Sequence, residues 1–201
     1  MTAHIFINIA FEDALTEALI EALLRGSGRP FAICNRYSRG GFGYIRSKIN
    51  GFNMAARNIP FFIVTDLDQG SCAPRLKKEW LASAAHNNLI FRIAVREIEA
   101  WLLADREAVA GFFSIPLSKL PVDPDSITQP KQFLINLARH SRKNSLKRDI
   151  MPPKRSGRAQ GPNYNSCLCR FIEQRWNLDN AATNSVSLRK ALAHIRRFNP
   201  S

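Results

Sequence analysis

Phe61-Phe62-Ile63-Val64-Thr65-Asp66-Leu67-Asp68 is an apolar run that ends in two carboxylates one residue apart. Aromatic and β-branched residues fill it, Pro60 precedes it and Gln69-Gly70-Ser71 follows it. It therefore reads as a buried central strand of an α/β sheet that turns at its carboxyl end. Ligands of such sheets collect at the carboxyl ends of strands. Asp66 and Asp68, on the turn leaving the strand, can both reach one hard cation, and oxygen donors of this kind suit Mg²⁺ or Mn²⁺. The plain alternative is an Asx turn in which Asp68 opens a helix beginning near Ala73.

Outward from this strand the chain alternates. A strand over His4 to Ala10 precedes a helix over Asp13 to Arg25, whose apolar residues Leu15, Leu19, Ala22 and Leu23 keep helical period. The turn residues Gly26-Ser27-Gly28 introduce a second strand, Phe31 to Cys34, and a helix over Gly43 to Arg57. After the central strand come a helix over Ala73 to Ala84, a fourth strand over Leu89 to Val95, and a helix from Arg96 to Gly111. Strand and helix in strict alternation predict a mostly parallel sheet of about four strands with helices on both faces.

Beyond Phe113 the pattern changes, and residues 1–113 are assigned to the α/β core, 114–130 to a connector and 131–201 to a basic helical extension packed on that core. Helices are expected over Lys131 to Ser141, Tyr164 to Trp176 and Ser185 to Phe198. The loop from Met151 to Pro162, rich in Pro, Gly and basic residues, is expected to order only against a partner. Trp80, Trp101 and Trp176 keep apolar spacing and are expected in the core.

The chain has 201 residues and a net charge of +13. From Arg139 onward 14 basic residues face 3 acidic ones, so the last third carries +11 of that charge. An excess so localised predicts a phosphate-backbone footprint and hence a nucleic-acid partner. Arg39 and Arg46, around the glycine-rich stretch Arg39-Gly40-Gly41-Phe42-Gly43-Tyr44, and Arg142, Lys143, Lys147, Arg148, Lys154 and Arg155 are the candidate contacts. No apolar run approaches the roughly 20 residues of a membrane span. The start lacks the pattern of a secretory signal, and a cytoplasmic protein without a membrane partner is expected. Cys34, Cys72, Cys167 and Cys169 are too irregular for a disulfide framework, and Cys167-x-Cys169 alone is short of a zinc signature.

If the strands are parallel, their carboxyl ends bring three acidic groups to one edge: Glu12, Asp13 and Glu17; Asp66 and Asp68; and Glu97 and Glu99. Carboxylates that close together are costly without a cation. Each group also has a plainer reading. Glu12, Asp13 and Glu17 suit the positive end of the first helix, and Glu97 and Glu99 lie on opposite sides of a helix start, so that one of them faces the site.

Glu12 beyond the first strand, Asp66-Leu67-Asp68 beyond a later one, and Arg96-Glu97-Ile98-Glu99-Ala100-Trp101-Leu102-Leu103-Ala104-Asp105 together resemble the Toprim fold of topoisomerases, primases and the overcoming-lysogenization-defect nucleases. They resemble in particular small stand-alone Toprim-like proteins often encoded beside ATPases in mobile or phage-defence loci. The resemblance covers about the first 110 residues and Gln129-Pro130-Lys131. It implies a Mg²⁺- or Mn²⁺-dependent nuclease, or nuclease subunit with a separate ATPase partner. Glu12, Asp66, Asp68 and Glu99 would hold metal, with Glu97 as substitute, and Lys131 would lie near the scissile phosphate. In that family the first acid usually precedes glycine; here Asp13 follows Glu12, so either can hold that position.

Two other readings stay open. One is a non-catalytic nucleic-acid-binding or ATPase-partner subunit. In the other, Asp66-x-Asp68-x-Gly70-Ser71 is similar to the nucleophile loop of haloacid-dehalogenase-like phosphatases, with Asp66 attacking phosphorus. There the loop normally follows the first strand and a late acidic pair accompanies it. Here it follows the third strand, and no such pair is found.

Overall fold

A computed structural model describes residues 4–38 and 43–201. Four parallel strands form one sheet: β1 (Ile5–Ala10), β2 (Phe31–Tyr37), β3 (Phe61–Asp66) and β4 (Leu89–Ala94), in the order β2-β1-β3-β4. Ten α-helices are described: α1 (Ala14–Gly26), α2 (Tyr44–Ala55), α3 (Ala73–Trp80), α4 (Ile98–Leu103), α5 (Arg106–Phe113), α6 (Pro130–His140), α7 (Asn144–Ile150), α8 (Tyr164–Gln174), α9 (Leu178–Asn184) and α10 (Val186–Arg197). The expected α/β architecture with a parallel sheet flanked by helices is present.

The strand order positions the site. From β1 the chain crosses to β2 on one side of the sheet, whereas β3 pairs with the other side of β1 and leads on to β4. The winding direction reverses between β1 and β3, and the carboxyl ends of strands at such a reversal are where sheets of this kind form their ligand crevice. Glu12 follows β1, and Asp66 and Asp68 follow β3.

Alternation within the strands sorts side chains onto two layers. Phe61, Ile63, Leu89, Phe91 and Ile93 pack with Ile45, Ile49 and Phe52 of α2 and with Leu76 and Trp80 of α3. Phe62, Val64, Ile90 and Ala94 face the other way, into a larger core with Ile7, Ile9, α1, α4 and the C-terminal helices. Leu168 and Phe171 of α8 and Leu188 and Ile195 of α10 belong to this same core, so the basic C-terminal third shares its apolar interior with the sheet. The cations of α7 and the segments flanking it remain outside: Arg142, Arg148, Lys154 and Arg155 are exposed.

Several expected boundaries move. The helix expected from Arg96 to Gly111 is broken in two by Asp105, which is buried and whose carboxylate accepts the N–H of Ala108 at 3.3 Å and of Asn177 at 2.7 Å. A short acceptor that caps a new helix while tying down a distant loop ends the first helix there. The helix expected to Ala84 stops at Trp80, because Asn50 and Asn53 of α2 take the backbone of Trp80, Ala82, Ala84 and His86 as hydrogen-bond partners. Short helices α7 and α9 were not expected at all. The 151–162 stretch, expected to wait for a partner, is part of the described fold. At Gly161 a Cβ would stand 2.2 Å from the Asp149 carbonyl oxygen, so only glycine permits this approach. Trp101 and Trp176 are buried as expected, and Trp80 is partly buried on Phe91. All four cysteines are free. Among the described residues no helix is long and apolar enough to cross a membrane.

Candidate functional site

The turn after β3 is built to hold Asp66 and Asp68 still. Leu67 and Asp68 donate their N–H groups to the Arg96 carbonyl at 2.9 and 3.0 Å, and the Arg96 guanidinium donates back to the carbonyls of Asp68 and Gly70 at 3.1 and 3.0 Å. Asp68 adopts a left-handed backbone, φ 49°, which Asp tolerates better than most residues. Gly70 must be glycine, since a Cβ there would meet the Leu67 carbonyl oxygen at 2.8 Å. The reading of Asp68 as the cap of the next helix is not what the structure has: the N-cap of α3 is Cys72.

Four carboxylates at this edge meet the start of a helix, and Glu99 meets a buried hydroxyl. Asp66 accepts the Ile98 N–H of α4 at 2.9 Å, and Glu97 accepts the Lys131 N–H of α6 at 2.7 Å. Glu12 faces the backbone N–H groups of Gly43 and Ile45 at the start of α2. Asp13, not Glu12, caps α1, accepting Thr16 N–H at 2.8 Å, and Glu17 is paired with Arg36 at 3.0 Å. The plainer reading of this group, a complement to the positive end of α1, holds for Asp13; Glu12 turns to the start of α2 and Glu17 to Arg36. Glu99 is buried and accepts the Tyr164 hydroxyl at 2.9 Å.

Glu97 and Glu99 are held differently, Glu97 on the Lys131 N–H of α6 and Glu99 on the buried Tyr164 hydroxyl, and both charges raise Asp66, that of Glu99 more than that of Glu97. Glu97 is the N-cap of α4, with extended backbone at φ −132° and ψ 159°, so the angular spacing of a helix does not separate it from Glu99.

The charges of these groups are felt by one another. Asp66 keeps some solvent contact yet is densely surrounded by protein. Desolvation, then the charges of Glu99 and Asp68, push its carboxyl well above the usual range, against the lowering effect of the Ile98 N–H. Burial drives Glu99 up to about 7, although Lys131 and the Tyr164 hydroxyl both favour its ionised form. Glu12 is raised by desolvation and by the charges of Asp68 and Asp13, and Asp68 by desolvation, which Lys131 opposes. Tyr164 is itself raised well above its ordinary value, first by burial and then by Glu99. Lys131 is the cation of the group. Its ammonium lies 5.1 Å from the centre of the Tyr164 ring, held on the aromatic face while its charge acts on Asp68 and Glu99.

Tyr164 is the participant that sequence reasoning missed. The sequence marks it only as the first residue of a helix, and the available signal is weak: a tyrosine at an apolar position whose hydroxyl, once buried, needs an acceptor.

The donor set is entirely oxygen and suits Mg²⁺ or Mn²⁺ in kind. Among the described residues, however, no three Asp, Glu, His or Cys side chains are gathered closely enough to hold an ion as they stand. The Ile98 N–H bond engages Asp66 Oδ1 and the Tyr164 hydroxyl bond engages Glu99 Oε1.

Of the candidate nucleic-acid contacts, Arg39 lies outside the described residues. Arg46, Arg142, Arg148, Lys154 and Arg155 are exposed. Lys143 is committed elsewhere, its ammonium donating to the carbonyls of Phe112 at 2.8 Å and Gly111 at 3.4 Å at the end of α5. Lys147 is partly covered. His140 and His194 are exposed. Against known proteins the chain finds no counterpart: no family model, no curated protein and no solved structure matches it.

Proposed function

We propose that this protein is a Toprim-like, Mg²⁺- or Mn²⁺-dependent nuclease, or the nuclease subunit of an ATPase-coupled pair, acting on phosphodiester bonds of nucleic acid. The observation that supports this reading is that Glu12, Asp66, Asp68, Glu97 and Glu99 follow the carboxyl ends of three parallel strands, and that the charges of Asp68, Glu97 and Glu99 all raise Asp66. Acids crowded until their protons are retained are an expensive use of a crevice. The cost is explained if those protons give way to a cation when substrate arrives.

Asp66, Asp68 and Glu99 would hold the metal, with Glu12 beside them. A divalent cation there supplies charge neutralisation at phosphate and a more acidic bound water. The remaining work falls to the protein. Lys131, fixed on Tyr164, contributes the positive charge that a phosphate oxygen needs. Glu99 and the Tyr164 hydroxyl form a buried hydrogen-bonded pair able to hold a proton near neutral pH. The exposed cations of the C-terminal third track the strand.

One observation favours the non-catalytic reading: Glu12, Asp66, Glu97 and Glu99 all have hydrogen-bond partners that a purely structural role would also need. The phosphatase reading requires Asp66 ionised as a nucleophile, and its surroundings favour the protonated form. Incubating the protein with Mg²⁺ or Mn²⁺ and end-labelled single-stranded DNA, duplex DNA and RNA separates the three. Cation-dependent shortening of at least one polymer is expected. Salt-sensitive binding with no cleavage would favour the binding subunit, and hydrolysis of p-nitrophenyl phosphate alone would favour the phosphatase.

A further inference from the structure

A second, cationic cleft of about 510 Å³ opens on the other side of the 66–70 turn. It runs along β4, which is the edge strand of the sheet, with α3 and α10 as walls. Lys77, Arg92, Arg96 and Lys190 line it against a single acid, Asp125.

That acid is already satisfied. Asp125 accepts the Ser187 N–H at 2.9 Å and the Ser185 hydroxyl at 2.7 Å, an arrangement that fixes the start of α10. Arg96 is held by the carbonyls of Asp68 and Gly70. Lys77, Arg92 and Lys190 take part in no ion pair among the described residues. The Arg92 Nε is buried and meets no acceptor. A buried donor without a partner is costly, more so when it is charged, so its persistence calls for an explanation.

Repulsion adds to that cost. Burial and the neighbouring Arg92 charge pull the Lys77 ammonium down to about 8, while its Nζ rests 5.6 Å from the centre of the Phe91 ring. His194 is lowered by partial desolvation and by the same two cations. The first turn of α3 opens at the same place with no side-chain cap on its N–H groups. A solvated cationic face would keep its charges apart; here they line a half-open cleft together with the apolar side chains of Leu67, Ile93 and Val186. Inorganic phosphate would leave that apolar wall bare, and the volume falls within the range of small-ligand clefts.

We propose that this cleft binds one nucleotide, with Lys77, Arg92 and Lys190 on its phosphate and Leu67, Ile93 and Val186 against its base, at a site separate from the acidic crevice. The assignment does not depend on hydrolysis at Asp66. A free nucleotide and the 5′-phosphorylated end of a strand present the same chemistry to it.

Calorimetric titration of the whole protein with adenosine and guanosine 5′-monophosphates, inorganic phosphate and a 5′-phosphorylated dinucleotide tests the assignment. A mononucleotide is expected to bind at least about tenfold more tightly than inorganic phosphate, a difference of about 1.4 kcal/mol. Lys190→Glu, a change at an exposed position that spares the fold, and Lys77→Met should each weaken it by at least about tenfold. Asp66→Asn should leave it within about twofold, so failure of the nuclease reading and failure of this one are told apart. Displacement by the dinucleotide identifies a strand end as occupant, and its failure to displace identifies a free nucleotide; either supports the site. Nucleotide binding no tighter than that of phosphate, or binding indifferent to both lysine variants, overturns it.

Discussion

Asp66→Asn is expected to fold as stably as the native protein at pH 8, or more so, and to lose cation-dependent cleavage by at least about 100-fold. Both halves follow from the surroundings of this one side chain. The asparagine carbonyl keeps an acceptor for the Ile98 N–H that Asp66 receives at 2.9 Å, so the helix start is not orphaned. What disappears is a charge that desolvation, Glu99 and Asp68 all oppose. A residue held for structure alone would lose stability when its charge is removed; one held for function gains it. Alanine is the poorer test, since it would strand the Ile98 N–H as well. Thermal melts at pH 8 beside cleavage of labelled substrate read the two halves on one sample. A variant that melts well below the native protein would show that the Asp66 charge stabilises the fold, contrary to this account.

Glu99→Gln should stabilise the protein in a pH-dependent way. In the folded chain the Glu99 carboxyl is raised to about 7 from an ordinary value of 4.5. Below pH 4.5 it is protonated folded and unfolded alike, and there the native protein bears no penalty. Between that pH and about 7 the unfolded chain releases the proton while the folded chain retains it, so native stability falls as pH rises and levels off above the folded value. The full difference is on the order of 3 kcal/mol. Glutamine retains an oxygen for the Tyr164 hydroxyl and has no proton to lose. The variant should therefore match the native protein near pH 4 and melt roughly 6–12 °C higher at pH 8. An equal difference in melting temperature at the two pH values would mean that Glu99 is not the group that carries this titration.

The strands and the main helices were legible because their patterns are local. Phe61 to Val64, alternating between two apolar layers, can be nothing but a doubly covered strand. Leu15, Leu19 and Leu23 spell out the buried stripe of α1. Boundaries failed where a distant residue decided them, as Asp105 does through Asn177 and as Asn53 does through His86. The acidic residues of the site were legible as types at strand ends. Their arrangement was not: that Glu12 faces α2, that Glu97 meets α6, and that Tyr164 reaches Glu99 across 65 positions depend on tertiary contacts with no local signature. The cleft at β4 was equally hidden, since Lys77, Arg92 and Lys190 are scattered singly along the chain and become a cluster only when α3 and α10 close on the edge strand.

The most direct measurement is the binding of Mn²⁺ followed by the loss of its free paramagnetic resonance signal, with proton release recorded in the same titration at pH 7. Crowded carboxylates that share a cation predict uptake of Mn²⁺ by the native protein, accompanied by released protons, with both effects lost in Asp66→Asn and weakened in Glu99→Gln. A free Mn²⁺ signal undiminished by the native protein, or an uptake that the two variants reproduce, would contradict it.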